Sequence, residues 1–324
     1  MFTYRVDTHH HFLPPAYVEA VGDRPIARTL VSGRAPAWSP SHSIDAMDRN
    51  GIQTAVLSLS APGFVCTDAA GTAKLCRVCN EYAARMTRDH RGRFGSFASL
   101  PLPDVDGSLR EIAYCLDVLG AEGICLLSNY GGVYLGASQF APVLEELDRR
   151  KALIYVHPTE GPCECVCGLP PASLEFPFDT TRTIASLMFS GSFAKYRNLR
   201  FIFSHAGGTI PFLAERLARL EARPEYREAV PDGVLQQLGK LYFDTALSAN
   251  ELALGALLRL TSVDHVLFGS DYPHAPEMTM SRSIRCLSEL VPSPADLEKV
   301  ERENALRLMP GLKARQVAER QVRV

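Results

Sequence analysis

The chain has one tryptophan among 324 residues, almost no net charge and no long apolar run. Its 34 basic and 36 acidic residues leave a formal charge of −2. No electrostatic attraction toward nucleic acid or an anionic membrane surface is expected from that balance. No stretch of ~18 consecutive apolar residues occurs, which argues against a membrane-spanning helix. The opening MFTYRVDTHH lacks a basic segment followed by an apolar core and a small-residue cleavage site, so no secretory signal is expected there. No Gly-x-Gly-x-x-Gly follows the first apolar segment, which removes the usual dinucleotide fingerprint. The nine cysteines are odd in number and come without a secretion signal, an argument against a disulfide framework. A cytoplasmic enzyme or binding protein is the expectation.

Two cysteine spacings need a reading. Cys76-x-x-Cys79 lies in KLCRVCNEYAARM, a helical pattern with no second such pair to complete a zinc site, and reads as two helix residues. Cys163, Cys165 and Cys167 lie in the turn-rich GPCECVCGLPP. Three close thiols can hold a metal or oxidise, but no fourth ligand is near, so a loop without a structural metal is expected. Cys125, in GICLLS, reads as core packing.

What the chain does have is 46% hydrophobic and 22% charged residues, the balance of an ordinary globular protein. Short β-branched runs predict strands at Tyr4–His9, Gln53–Leu59, Phe94–Leu100, Gly123–Leu127, Ala152–His157, Arg200–His205, Leu241–Thr245 and His265–Gly269. Amphipathic stretches separate them. SPSHSIDAMDRNG opens on serines that can cap a helix and ends on Gly51, while Leu109, Ile112, Leu116 and Leu119 form one helical stripe. Strands alternating with helices eight times over predict a (β/α)8 TIM barrel, distorted, as a single domain over 1–324. A doubly wound open sheet is the alternative. Val21–Ala37 reads as a short irregular insertion after the first strand, and KARQVAERQVRV as a charged helical run with a solvated face.

Barrel enzymes carry their chemistry at the C-terminal ends of the strands. Here those ends hold Asp7-Thr8-His9-His10-His11, then His157 in IYVHPTE, His205 in FIFSHAGG and Asp271 in VLFGSDYPHA. One histidine after a strand is ordinary. Four strand ends carrying His or Asp converge on one mouth if the barrel closes. Side-chain alternation places His9 and His11 on one face with Asp7, and His10 on the other. His9, His11, His157 and Asp271 then make three imidazoles and a carboxylate, a set for zinc, or for manganese with added water. His205 is either a further ligand or an acid/base group beside the metal.

These residues resemble the amidohydrolase superfamily, in particular its aminocarboxymuconate-semialdehyde decarboxylase-like group. The likeness rests on DTHHHFLPP, VHP, SHAGG and GSDYPH in that order. WSPSHSIDAMDRNGIQTAVLSLSAPG, LPLPDV, SNYGGVYLG and RFIFSHAGGTIPFLAERL are similar to 6-methylsalicylate decarboxylases within that group. The resemblance implies one divalent metal per chain on His9, His11, His157 and Asp271, zinc first and manganese second, with no organic cofactor. It implies non-oxidative decarboxylation of a small hydroxyaromatic acid, with His205 and Asp271 catalytic: Asp271, or a water positioned by His205, would protonate the ring carbon before CO2 leaves. Strand 4 ends LLSNYGG, without the lysine that bridges two metals in binuclear relatives.

Candidate substrate contacts are Arg34, Trp38, Asn129 and Phe178. Arg34 stands four residues before Trp38, as an arginine precedes a tryptophan in the muconate enzyme, and would hold a carboxylate or be a solvated loop arginine. Trp38 would stack on a ring or pack. Asn129 and Tyr130 end strand 4, and Phe176 and Phe178 would wall an apolar pocket. The partner expected is the small acid, with a homodimer or higher homo-oligomer through helix PFLAERLARL by analogy with relatives. The competing readings are hydrolysis of an amide or lactone by the same ligands, and a metal-binding barrel without turnover.

Overall fold

Eight strands pair in parallel, each beside the next in sequence: β1 Arg5–His11, β2 Ile52–Ser58, β3 Phe94–Ser99, β4 Gly123–Leu127, β5 Leu153–His157, β6 Arg200–Phe203, β7 Tyr242–Asp244 and β8 Val266–Leu267. The computed structural model describes residues 5–64, 68–162 and 168–322, the side chains of 317–322 excepted. The observed strand ends lie within two residues of those predicted. The seam between β8 and β1 is bridged by backbone bonds: Thr8 N–H donates to Phe268 O at 3.0 Å, Asp271 N–H to His9 O at 2.9 Å and His11 N–H to Tyr272 O at 2.7 Å. The barrel therefore closes at the histidine triplet.

Helices cover the outside. Ser39 caps the helix Pro40–Arg49 by accepting His42 N–H, and Gly51 takes a positive φ of 64° beyond it, as the serines and glycine implied. Cys76 and Cys79 are buried free thiols on the helix Ala69–Asp89. Cys163, Cys165 and Cys167 lie outside the described residues.

Two expectations change, and one element was not anticipated. The insertion is irregular only in part: within it Asp23–Thr29 is a helix, set off from the helix Pro15–Val21 by Gly22 at a φ of 82°, while 30–37 has no regular element. A small antiparallel hairpin, Asn129–Tyr130 with Val133–Tyr134, follows β4, turned by Gly131 and Gly132 at φ 60° and 83°. The C-terminal run is not merely a solvated face. Within it Arg315 pairs with Glu122 and Gln316 Nε2 donates to Thr54 Oγ1 at 2.7 Å, and Leu312 just before it is fully buried.

Inside the barrel the lower layer is apolar: Val6, Val56, Phe97, Leu153, Tyr155, Ile202 and Leu267 pack with Leu308, Met309 and Leu312 from the C-terminal segment. Each such side chain contributes about 1.5–3 kcal/mol on burial. Toward the C-terminal ends of several strands the inward position turns polar. Leu153 and Tyr155 are followed by His157, and Leu267 by Gly269 and Asp271. The apolar layer is the floor on which the polar site sits.

Candidate metal centre

The triplet sorts by a bulge. The pairing of β1 with β2 shifts between Asp7 and His10: Asp7 faces Ala55, and His10 faces Leu57. One extra residue on β1 puts Asp7 and His10 on the same side and leaves His9 and His11 together on the other. Simple alternation had grouped Asp7 with His9 and His11. The structure instead bonds Asp7 Oδ2 to His10 Nδ1 at 2.9 Å, and Asp7 also accepts from Ser270 N–H and Oγ–H.

His10 belongs to a directed chain. Trp38 Nε1 can only donate, and does so to Ser43 Oγ at 2.9 Å. Ser43 then donates to His10 Nε2 at 3.0 Å, and His10 Nδ1–H donates to Asp7. The arrangement has the order of an Asp-His-Ser triad, yet Ser43, His10 and Asp7 are each 0% exposed. It is a brace behind β1, and Asp7 extends it to the backbone just before Asp271.

On the inner face, each imidazole spends Nδ1 on an oxygen. His9 Nδ1 donates to Asp244 Oδ2 at 2.9 Å, His11 Nδ1 to Ser58 O at 3.1 Å and His157 Nδ1 to Pro158 O at 2.8 Å. Those bonds set the tautomers and aim the Nε2 atoms inward. His9 Nε2 lies 3.0 Å from His11 Nε2 and 3.2 Å from Asp271 Oδ1, which is 3.0 Å from His11 Nε2. His205 Nε2 is buried without a hydrogen-bond partner, 3.8 Å from Asp271 Oδ2. One ligand atom from each of His9, His157, His205 and Asp271 falls within 4.8 Å of the others. Two ring nitrogens 3.0 Å apart need a proton or a cation between them, and this donor set suits a divalent metal.

Charge follows. Burial opposes a charged His9, but Asp244 and Asp271 outweigh it and raise its pKa to about 10. Burial keeps His11 and, more strongly, His157 below the usual histidine range. Burial would also raise Asp271, yet the imidazoles of His11, His205 and His9 around it hold its carboxyl well below the usual range. His205 and Asp271 both sit at left-handed φ, 52° and 62°, an uncommon conformation for residues with a Cβ. Asp244 helps to impose it by accepting His205 N–H at 3.0 Å. Gly269 leaves the room: a Cβ there would stand 2.8 Å from His9 Cβ.

The centre lies at a cavity of about 240 Å³ lined by Thr29, Leu30, Ser60, His157, Phe176, His205, Leu247, Ser248, Asp271 and His274, among others. A family model described as amidohydrolase matches residues 6–310. The chain belongs to the amidohydrolase family. It is 38% identical to a 6-methylsalicylic acid decarboxylase of Aspergillus aculeatus, over 95% of this chain and 97% of the relative. A crystal structure described as an amidohydrolase II superposes with a TM-score of 0.87 at 29% identity, covering 94% of this chain and 99% of that one. The 5-carboxyvanillate decarboxylase of Novosphingobium aromaticivorans, crystallised with manganese and 4-hydroxy-3-methoxy-5-nitrobenzoic acid, has the same fold (TM-score 0.83, 22% identity, 95% and 96% covered).

In this amidohydrolase the sequence-derived substrate residues separate. Arg34 is exposed in a turn and Trp38 is engaged with Ser43, Phe12 and Tyr82; neither lines the cavity. Phe178 is 37% exposed, whereas Phe176 is buried edge-on to His157. Two residues along a helix turn a side chain by about 200°, so only one of the pair can face the centre. Asn129 is buried beside a neighbouring cavity, but its amide is already committed: Nδ2 donates to Glu160 O and Asp179, and Oδ1 accepts Gly132 N–H. Asp244, Ser60 and His274 were not singled out from sequence. Asp244 ends β7 in LYFDTA, the same strand-end signal as its neighbours, and His274 closes the GSDYPH motif.

Proposed function

We propose that this amidohydrolase decarboxylates a small hydroxyaromatic carboxylic acid of the 6-methylsalicylate kind, using one divalent metal held by His9, His11, His157 and Asp271. The observation that supports it most is the convergence of three Nδ1-anchored imidazoles and Asp271 beside a cavity sized for one small ring. The similarity to 6-methylsalicylic acid decarboxylase over nearly the whole chain names the reaction class. Zinc is the proposed ion and manganese the alternative. When bound, the ion acts as a Lewis acid and anchors the oxygens of the acid.

Decarboxylation needs one proton at the ring carbon, after which the carbon–carbon bond pair returns to the ring and CO2 leaves. Asp271 is held ionised, so it is not the resting proton donor. His205, at the cavity with Nε2 unpartnered and 3.8 Å from Asp271 Oδ2, delivers that proton directly or through a water. Phe176 supplies an apolar wall for the ring.

A homodimer is proposed, supported by Phe212 and Leu252, each 86% exposed on the helices Ile210–Ala218 and Glu251–Leu260. A cytoplasmic setting is proposed, supported by the free thiols of Cys76, Cys79, Cys115 and Cys125. Among the described residues no helix is long and apolar enough to cross a membrane.

The test is a panel of hydroxybenzoates scored for CO2 beside a panel of lactones and amides scored for hydrolysis. CO2 release that is lost on chelation and recovered with metal is expected. Hydrolysis without CO2 release would assign the same ligands to a hydrolase, and metal binding without turnover of either panel would leave a non-catalytic barrel.

A further inference from the structure

The metal-centre cavity has a larger neighbour. A second cavity of about 790 Å³ adjoins the one of about 240 Å³, and Thr29 and Ser60 line both. The smaller volume is below the range of ~300–1,000 Å³ usual for ligand pockets, and the larger falls within it. One compartment suits a single ring with its carboxylate and hydroxyl; the other has room for more.

The second compartment has an apolar wall, although exposed Arg24 and Arg28 and half-buried Glu160 also line it. Leu59, Leu100, Leu102 and Leu127 line it. Several of its polar groups are engaged within the protein: the Asn129 amide as described, Tyr130 OH by accepting Leu127 N–H at 3.1 Å, and Arg28 by pairing with Glu160. At the junction, Thr29 Oγ1 donates to Ile26 O at 2.8 Å, and Ser60 Oγ is engaged by His274 Nε2 at 2.8 Å and Ala61 O at 3.2 Å. Two small side chains with their hydroxyl protons engaged make a passage that favours hydrocarbon over charge.

We infer that the acid carries an apolar ring substituent longer than a methyl group, which passes Thr29 and Ser60 into the leucine-lined cavity. This rests on the decarboxylase reading and narrows its substrate class to ring-alkylated hydroxybenzoates. Each methylene moved from water into such walls favours binding by about fourfold.

The experiment is a set of salicylates carrying methyl, propyl or pentyl at ring position 4, 5 or 6, assayed for CO2 with the metal-loaded enzyme. At one position kcat/KM should rise by about fifteen-fold from methyl to propyl. Leu102→Phe should cut the pentyl-to-methyl ratio of kcat/KM at least tenfold, and Leu102→Ala should move the optimum to longer chains. Falling kcat/KM with chain length at every position, while the methyl compounds turn over, overturns the inference and leaves the space as an access route. If no salicylate is turned over, the decarboxylase reading fails separately. Calorimetric binding of the same acids then decides the cavity, since affinity that does not rise with chain length overturns the inference too. Should both variants fail to fold, the wild-type series is decisive alone.

Discussion

Asp244 Oδ2 lies 2.9 Å from His9 Nδ1, with both side chains completely buried, and its other oxygen takes the backbone N–H of His205. One carboxylate thereby positions a proposed ligand and the proposed proton donor. Asp244→Asn presents an amide to His9 where a charge stood. It is expected to weaken metal affinity by roughly 10–100-fold and to lower kcat at saturating metal. Competition titration against a chelator and steady-state kinetics check the two effects; unchanged values for both would make Asp244 a packing residue.

Metal uptake should release a proton at neutral pH. His9 in the metal-free protein has a pKa raised to about 10 after burial is outweighed by Asp244 and Asp271, so it is charged at pH 7.5. A metal binds only the neutral ring. Affinity should therefore rise as pH rises toward about 10, with about one proton released per metal at pH 7.5. The same sign governs the metal-free fold: stability from charged His9 is complete below pH ~6.5 and fades as pH climbs through its folded value. Calorimetry in buffers of different ionisation enthalpy measures the proton count, and a count near zero contradicts this account.

His205→Asn should lower kcat by about 100-fold or more while metal content stays at one per chain. Elemental analysis of the variant distinguishes the roles, since loss of metal would make His205 a ligand. In D2O the product should carry one deuterium at the carbon that lost CO2.

Ser43→Ala breaks the chain from Trp38 to Asp7 and leaves His10 Nε2 and the Trp38 N–H without their partner. A loss of about 1–3 kcal/mol in stability is expected, read as a lower Tm, with turnover per bound metal retained. Loss of turnover in a fully folded, metal-loaded variant would show that Ser43 does more than brace β1.

Phe176→Ala should raise KM by about tenfold through lost ring contact, whereas Phe178→Ala should change it less than twofold. Steady-state kinetics with the preferred acid compare them; equal effects would place both in the pocket.

The barrel was legible because its signal is local and repeated. Eight β-branched runs between amphipathic helices leave few other ways to bury that much apolar surface. The convergence of these strand ends was legible because β/α closure carries them to one mouth, so His9, His11, His157, His205 and Asp271 could be grouped with no coordinates, and the ligand set among them is the proposal. What the sequence could not decide depends on one-residue shifts and on distant neighbours. The bulge that joins Asp7 to His10 changes which face each side chain takes, and no residue type marks it. Phe176 and Phe178 look alike on paper, but helical rotation admits one to the centre. Arg34 and Trp38 are set by the packing of an inserted segment, and Asn129 is taken by Asp179, fifty residues away. Local pattern determined the fold and the kinds of atom at its mouth. Tertiary packing decided which of those atoms are free to act, because a hydrogen bond used inside the protein is no longer offered to a substrate.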